Sequence, residues 1–123
     1  MTQSELYYTL ALLQVEGVGD VIAKKLIQHC GSAQEVFASK KTLLQKIDGI
    51  GSVAVQKLQD KTVFSKAEAE LQILAKENIT TAFFQENNYP ERLKHCHDSP
   101  VLLFQAGNIN LENQRIISIV GTR

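Results

Sequence analysis

Two short glycine motifs are the residues of this sequence best suited to chemistry, and the chemistry they suit is phosphate binding. The first is Val15–Gly19 and the second is Ile47–Gly51, and both have the order apolar, acidic, Gly, apolar, Gly. Because glycine tolerates positive φ, each motif predicts a tight hairpin between two helices, with the middle aliphatic residue buried. The start of the following helix presents backbone N–H groups and the positive end of the helix dipole to a phosphate. The pair therefore indicates a nucleic-acid-binding unit.

Eight residues of the two hairpins are the candidate contacts to nucleic acid. They are the small residues that allow close approach to the backbone and the lysines that follow: Gly17, Gly19, Lys24, Lys25, Gly49, Gly51, Ser52 and Lys57. Residues 20–61 hold seven lysines and four acidic residues, in a chain with 13 positive and 13 negative residues overall. Three acidic residues weaken the phosphate interpretation. Glu16 and Asp48 put a negative charge in each hairpin, and Asp20 is expected to cap its own helix at the first anion site. The alternative is that the hairpins only pack the helical domain.

The histidines and cysteines are poorly spaced for a metal site. His95–His97 reads His, Cys, His, and His29 precedes Cys30, but adjacent side chains point in different directions and no Cys-x-x-Cys pair is present. We therefore expect no metal, no cofactor and no catalytic residue. Tyr89 could stack on a base, although beside Pro90 it is expected to cover the core.

The elements that hold the hairpins are predicted to form one α domain over residues 1–77. Thr2 and Glu5 have the spacing of a capping box and open the first helix. A longer helix is expected over residues 65–77. Since the N-terminus has no positively charged head and the chain no membrane-spanning run, we expect a cytoplasmic protein without a membrane partner.

The motifs belong to an internal repeat with an offset of 32 residues. At this offset Val21 aligns with Val53, and Lys25 aligns with Lys57. Ser52 is the predicted cap of the second helix, and Val53 is predicted to be one of its apolar positions. Each copy is too small to bury its apolar face alone, so the two are expected to pack about a pseudo-two-fold axis.

A second, incomplete α/β segment is predicted over residues 78–123. Ile79–Gln85 and Val101–Phe104 are rich in β-branched and aromatic residues and indicate strands. Ile116–Val120 is a continuous apolar run, which is typical of a strand buried in a parallel sheet. Such a strand normally leads into a helix and further strands, so we interpret the chain as a fragment. The aromatic residues expected in the core are Phe83, Phe84 and Phe104.

The order of motifs in this segment resembles that of the DprA family, also called Smf. The residues that carry the resemblance are Tyr89-Pro90, Pro100–Phe104, Gly107-Asn108 and Ile119–Arg123. The resemblance implies an α+β chain, with a SAM-like tandem helix-hairpin-helix domain followed by the truncated start of a Rossmann-like DNA-binding domain. It also implies that Gly121, Thr122 and Arg123 begin a phosphate-binding loop.

The function implied by this resemblance is that of a recombination mediator in natural transformation. Such a protein binds incoming single-stranded DNA without sequence preference, protects it and helps to load the recombinase RecA, without catalysis. A homodimer is also implied, with contacts to its partners expected beyond residue 123. Two alternatives stay open: a protein-interaction or self-association module, and a module of a DNA-repair or nucleotide-processing enzyme.

Overall fold

The computed structural model describes residues 1–106, which form an all-helical part followed by a small two-stranded sheet. The elements are α1 (Gln3–Gln14), α2 (Asp20–Cys30), α3 (Ala33–Ala38), α4 (Lys41–Gln45), α5 (Ser52–Lys57), α6 (Thr62–Lys76), β1 (Ile79–Phe83), α7 (Glu91–Lys94) and β2 (Leu102–Ala106). The predicted strand at residues 116–120 lies outside the described residues.

The core is built around α1, which packs along α6 and also contacts α2 and α3. The capping box predicted for α1 is confirmed: Glu5 N donates to Thr2 Oγ1 at 3.1 Å, and Thr2 N donates to Glu5 Oε2 at 3.0 Å. Each fully buried aliphatic side chain of this core stabilises the fold by about 1.5–3 kcal/mol. The largest of them are Leu10, Leu12, Leu26, Ile27, Val36, Val55, Val63 and Val101.

The long helix α6 begins earlier than predicted, at Thr62 rather than at residue 65. Asp60 explains this start, because its Oδ1 accepts hydrogen bonds from Thr62 Oγ1 at 2.8 Å and from Thr62 N at 3.0 Å. These two bonds, with the positive charge of Lys66 and Lys57 adding to them, hold the pKa of Asp60 below its ordinary value. Asp60 lies two residues before the first residue of α6, whereas the N-cap position itself is occupied by Lys61.

The two strands pair antiparallel, with Ile79 opposite Ala106 and Phe83 opposite Leu102. Both strand positions were predicted, with ends that differ by at most two residues. The prediction that Phe104 belongs to the core is wrong, because Phe104 is 49% exposed. An antiparallel pair is not by itself a Rossmann-like sheet, so that part of the expected fold stays a prediction.

The segment after residue 77 packs directly on the helices. Val101 and Leu102 are buried in the same core as α1 and α2. Tyr89 is fully buried and its hydroxyl donates to the Pro100 carbonyl oxygen at 2.6 Å, which confirms the prediction that it covers the core. The Met1 ammonium group also pairs with Glu86 at 2.8 Å, and this bond raises the pKa of the N-terminus. Contacts therefore cross the domain boundary that was predicted at residue 77. The division of the chain into two domains stays a prediction.

Among residues 1–106, no helix is both long enough and apolar enough to cross a membrane.

Candidate nucleic-acid interface

The two hairpins have the same backbone geometry. Gly17 and Gly49 have φ values of +85° and +87°, in the left-handed region that favours glycine. Val18 N donates to the Val15 carbonyl at 3.1 Å, and the equivalent bond from Ile50 N to Ile47 is 3.2 Å long. The middle aliphatic residues are buried in both copies, at 5% and 8% exposure. The repeat inferred from the sequence is therefore a repeat of structure.

Both helices that follow the hairpins begin without a side-chain cap. Gly19 is the N-cap of α2 and Gly51 is the N-cap of α5, and at neither helix start does a side chain accept a capping hydrogen bond from a backbone N–H. The predictions that Asp20 and Ser52 are the caps are wrong, because each residue lies one position inside its helix. The first N–H groups of each helix have no intrahelical partner, which is the condition for binding an anion.

The carboxylate of Asp20 is used elsewhere in the fold. Its Oδ1 accepts a hydrogen bond from the backbone N–H of Val101 at 3.0 Å. Val101 is fully buried just before β2, so this bond satisfies a backbone donor that water cannot reach. Asp20 therefore connects the first hairpin to the strand segment instead of occupying the anion position of its own helix.

Lys24 makes a second connection from α2 to the same segment. Its Nζ donates to the His97 carbonyl oxygen at 3.0 Å and to Ser99 Oγ at 2.9 Å. Ser99 is buried, so the ammonium group is held at the base of the loop that precedes β2. A lysine held in this way is a structural contact first, and it is less available to an external phosphate than an exposed lysine.

Lys25 and Lys57 each reach toward the hairpin of the other copy. Lys57 Nζ lies 3.3 Å from Glu16 Oε2 in the first hairpin. Lys25 Nζ lies 2.7 Å from the place that a Cβ on Gly49 would occupy, at the second hairpin. The two contacts are not equivalent, because Lys57 pairs with a carboxylate and Lys25 lies beside a glycine, so the pseudo-two-fold packing of the copies stays a prediction. The pair with Lys57 gives the acidic residue of the first hairpin a structural role, although an exposed ion pair contributes only about 0–1 kcal/mol.

The second hairpin is the more exposed of the two candidate surfaces. Gly49, Gly51, Ser52 and Lys57 are all exposed. Val53, which was predicted to be one of the apolar positions of α5, is 63% exposed and lies outside the core. Residues 40–61 hold five lysines and two aspartates, which gives this stretch an excess of three positive charges.

The remaining predicted contacts, Gly121, Thr122 and Arg123, lie outside the described residues. Among residues 1–106, no group of three or more His, Cys, Asp or Glu side chains is placed to hold a metal ion. Cys30 and Cys96 are both free thiols.

The contacts of Asp20 and Lys24 with the strand segment were not foreseen from the sequence. The partners lie 81 and 73 residues away along the chain. A single sequence carries no local pattern for such a contact. The one signal in the sequence was a difference between the copies: Asp20 aligns with Ser52 at the offset of the repeat.

Comparison with known proteins supports both halves of the interpretation. Residues 80–123 match the family model described as DNA recombination-mediator protein A, and residues 9–62 match the model of a SAM-like helix-hairpin-helix tandem. The protein Smf of Synechocystis sp. is 28% identical over 127 residues, which cover the whole of this chain. These matches support an assignment to the DprA/Smf family. It spans 32% of the length of that relative.

The chain matches no solved structure. The helical tandem and the α+β class expected from the sequence are confirmed by the matched model and by the elements described above. The eight hairpin residues stay candidates, because a family match identifies no contact with DNA.

Proposed function

We propose that this chain belongs to a recombination mediator and contacts single-stranded DNA. The observation that carries the proposal is the presence, in one chain, of the recombination-mediator match and of two hairpins with the same backbone geometry. The relative's name, Smf, agrees with the same family. The role proposed is one of binding, without catalysis.

The exposed surface of the second hairpin is the proposed contact within residues 1–106. Its lysines Lys46 and Lys57 are exposed, and Lys57 makes only a surface ion pair with Glu16, whereas Lys24 of the first copy is held by two oxygens. Because α5 is only six residues long, its dipole is weak. Lysine side chains are therefore expected to supply most of the attraction to phosphate, with Gly49, Gly51 and Ser52 allowing close approach of the strand.

Gly121, Thr122 and Arg123 are proposed as a further contact. They fall within the stretch that matches the recombination-mediator model. Arginine binds phosphate through two parallel hydrogen bonds, which suits Arg123 to a strand backbone. RecA loading, a homodimer, a role in natural transformation and a cytoplasmic location belong to the same proposal, and the resemblance supports them.

The test is a titration of a fluorescently labelled 20-nucleotide thymidine strand with the 123-residue chain, followed by anisotropy at several salt concentrations. The double variant Lys46→Glu/Lys57→Glu reverses two charges beside the second hairpin. Losing two phosphate contacts lowers the slope of log affinity against log salt by about 1.4. The matched control is Lys66→Glu/Lys76→Glu, which makes the same change of net charge on exposed positions of α6.

Two results would contradict this proposal. One is the absence of binding at low salt, and the other is an equal loss of affinity in both double variants. Equal losses would mean that the strand responds to net charge and not to the hairpin surface.

A self-association module is the second candidate function, because apolar side chains are exposed near the second hairpin. Leu43 on α4 and Val53 on α5 are 55% and 63% exposed, and the two helices are in contact. Sedimentation equilibrium without DNA would show a concentration-dependent dimer that Leu43→Ser and Val53→Ser weaken. A monomer at all concentrations would remove this candidate.

A further inference from the structure

A cleft of about 430 Å³ lies between α2 and the segment that joins β1 to β2. One wall is the face of α2 that carries Lys24, Lys25 and Gln28. The opposite wall is formed by residues 84–99. The cleft is separate from the exposed surface of α5, and two of the eight candidate hairpin residues, Lys24 and Lys25, lie in it.

The lining of this cleft is basic and holds no acid. Five of its side chains are lysine or histidine, and none of its lining residues is Asp or Glu: Lys24, Lys25, Lys94, His95 and His97. Lys24 donates to two neutral oxygens, so its contacts in the described part of the chain leave its charge uncompensated. Lys94 pairs with Glu91 at 3.0 Å, and because the Glu91 side chain is 67% exposed, solvent screens this pair. The net charge inside the cleft therefore favours an anion.

The walls of the cleft are held in place by hydrogen bonds. Asp20 accepts from Val101 N at 3.0 Å, and Lys24 donates to Ser99 Oγ at 2.9 Å. On the other wall, the hydroxyl of the buried Tyr89 donates to the Pro100 carbonyl at 2.6 Å. A cleft whose walls are already ordered loses little conformational entropy when it binds a ligand.

We propose that this cleft binds the phosphate group of a nucleotide, either a free mononucleotide or one residue of a single strand. Its volume lies within the range of about 300–1,000 Å³ that small-molecule sites occupy, so it has room for more than inorganic phosphate. Gln28 and Gln85 are in the lining and carry amide groups that can both donate to and accept from a base or sugar. Lys25 lines the cleft and also lies beside Gly49, so the cleft adjoins the second hairpin.

This inference goes beyond the proposed function, and the two can fail separately. The proposed function concerns the surface of the second hairpin and a DNA strand. A mononucleotide can occupy the cleft even if that surface binds no strand.

The experiment is an NMR titration of the ¹⁵N-labelled 123-residue chain with thymidine 5′-monophosphate, thymidine and inorganic phosphate. Thymidine 5′-monophosphate is expected to shift the amides of Gln28, Gln85 and His95, and thymidine to leave them unchanged. Gln28→Glu places a carboxylate in the basic lining without removing any of the hydrogen bonds above, and it should weaken nucleotide binding at least fivefold. The matched control is Gln72→Glu on α6, an exposed position outside the cleft, which should change the affinity less than twofold.

The source of the nucleotide is decided by two thymidine oligonucleotides, one with a 5′-phosphate and one with a 5′-hydroxyl. Cleft shifts with both identify an internal phosphodiester, shifts with the first alone identify a strand end, and shifts with neither identify a free nucleotide. The proposal is overturned if thymidine shifts the cleft amides as strongly as its monophosphate or if neither shifts them. It is also overturned if inorganic phosphate binds as tightly as the nucleotide, or if the two glutamine variants behave alike.

Discussion

The two hairpins of this chain share a backbone but differ in what surrounds them. The first is followed by an 11-residue helix whose Asp20 and Lys24 bond to the segment before β2. The second is followed by a six-residue helix whose equivalent positions, Ser52 and Gln56, are exposed. The first copy thus connects two parts of the fold, and the second presents its surface to solvent.

This difference shows that the backbone geometry of a hairpin and its exposure to solvent have separate causes. The glycine geometry fixes the hairpin in both copies, because Gly17 and Gly49 have nearly the same φ. The residues one and five positions after the last glycine differ between the copies. Asp20 and Lys24 bond to the segment before β2, whereas Ser52 and Gln56 are exposed to solvent. A duplicated motif therefore predicts the fold of both copies, while the function of each depends on the residues around it.

The largest effect that separates the copies is expected from Asp20→Ala. The variant leaves the buried N–H of Val101 without its acceptor, which lowers the free energy of unfolding by about 1–3 kcal/mol. The matched substitution Ser52→Ala, 32 residues later, is expected to change it by less than about 0.5 kcal/mol. Urea denaturation followed by circular dichroism measures both. Equal costs at the two positions would show that the copies are not differentiated in this way.

A smaller effect, similar in the two copies, is expected from alanine at the hairpin glycines, and at Gly49 the flexible end of Lys25 must also move aside. Gly17→Ala and Gly49→Ala force a Cβ into positive φ, at about 1–2 kcal/mol each. Gly19→Ala and Gly51→Ala are the controls and should cost less, because φ is negative and a Cβ would meet nothing within 4 Å. The same denaturation assay applies. An alanine tolerated without cost at either of the first two positions would contradict the shared geometry.

A still smaller effect is expected from the contact between the copies. In a double-mutant cycle, Lys57→Ala and Glu16→Ala should show a coupling of about 0.2–1 kcal/mol that disappears at high salt, because both side chains are exposed. The equivalent cycle of Lys25 and Asp48 should show no coupling, since the structure pairs only the first set among its described residues. If only the cycle of Lys25 and Asp48 showed coupling, the ion pair between the copies would be that pair and not Lys57 with Glu16.

The smallest effect concerns the end of the second copy, where Asp60 caps α6. Its pKa is lowered by the hydrogen bonds from Thr62, so the stability it contributes is present above the ordinary aspartate pKa and is lost as the pH falls through the lowered value. The difference in Tm between the wild type and Asp60→Asn should therefore narrow below about pH 4. Scanning calorimetry from pH 7 to pH 3 measures it. A difference that stays constant over this range would contradict the role of the charge.

Local features of the fold could be predicted from the sequence because their causes are local. The hairpins follow from glycines two residues apart, and the start of α1 follows from Thr2 and Glu5. Tyr89 could be predicted to cover the core because Pro90, which follows it, restricts its backbone. Each of these inferences uses residues within a few positions of one another.

The environment of the candidate site could not be predicted, because it depends on contacts across the chain. Asp20 has a good N-cap side chain, yet its partner is Val101, 81 residues away. Val53 aligns with the half-buried Val21, but Val21 lies in the cleft against residues 84–99, whereas Val53 is 63% exposed. Spacing within one copy contains no information about what packs against it.

The most direct test of the difference between the copies is an NMR titration of the ¹⁵N-labelled 123-residue chain with a thymidine 20-mer at low salt. If the second hairpin is the surface that contacts DNA, the amides of Gly49–Ser52 shift more than those of Gly17–Asp20, and the shifts decrease as salt is added. Larger shifts in the first hairpin, or none in either, would contradict the assignment of DNA contact to the second copy.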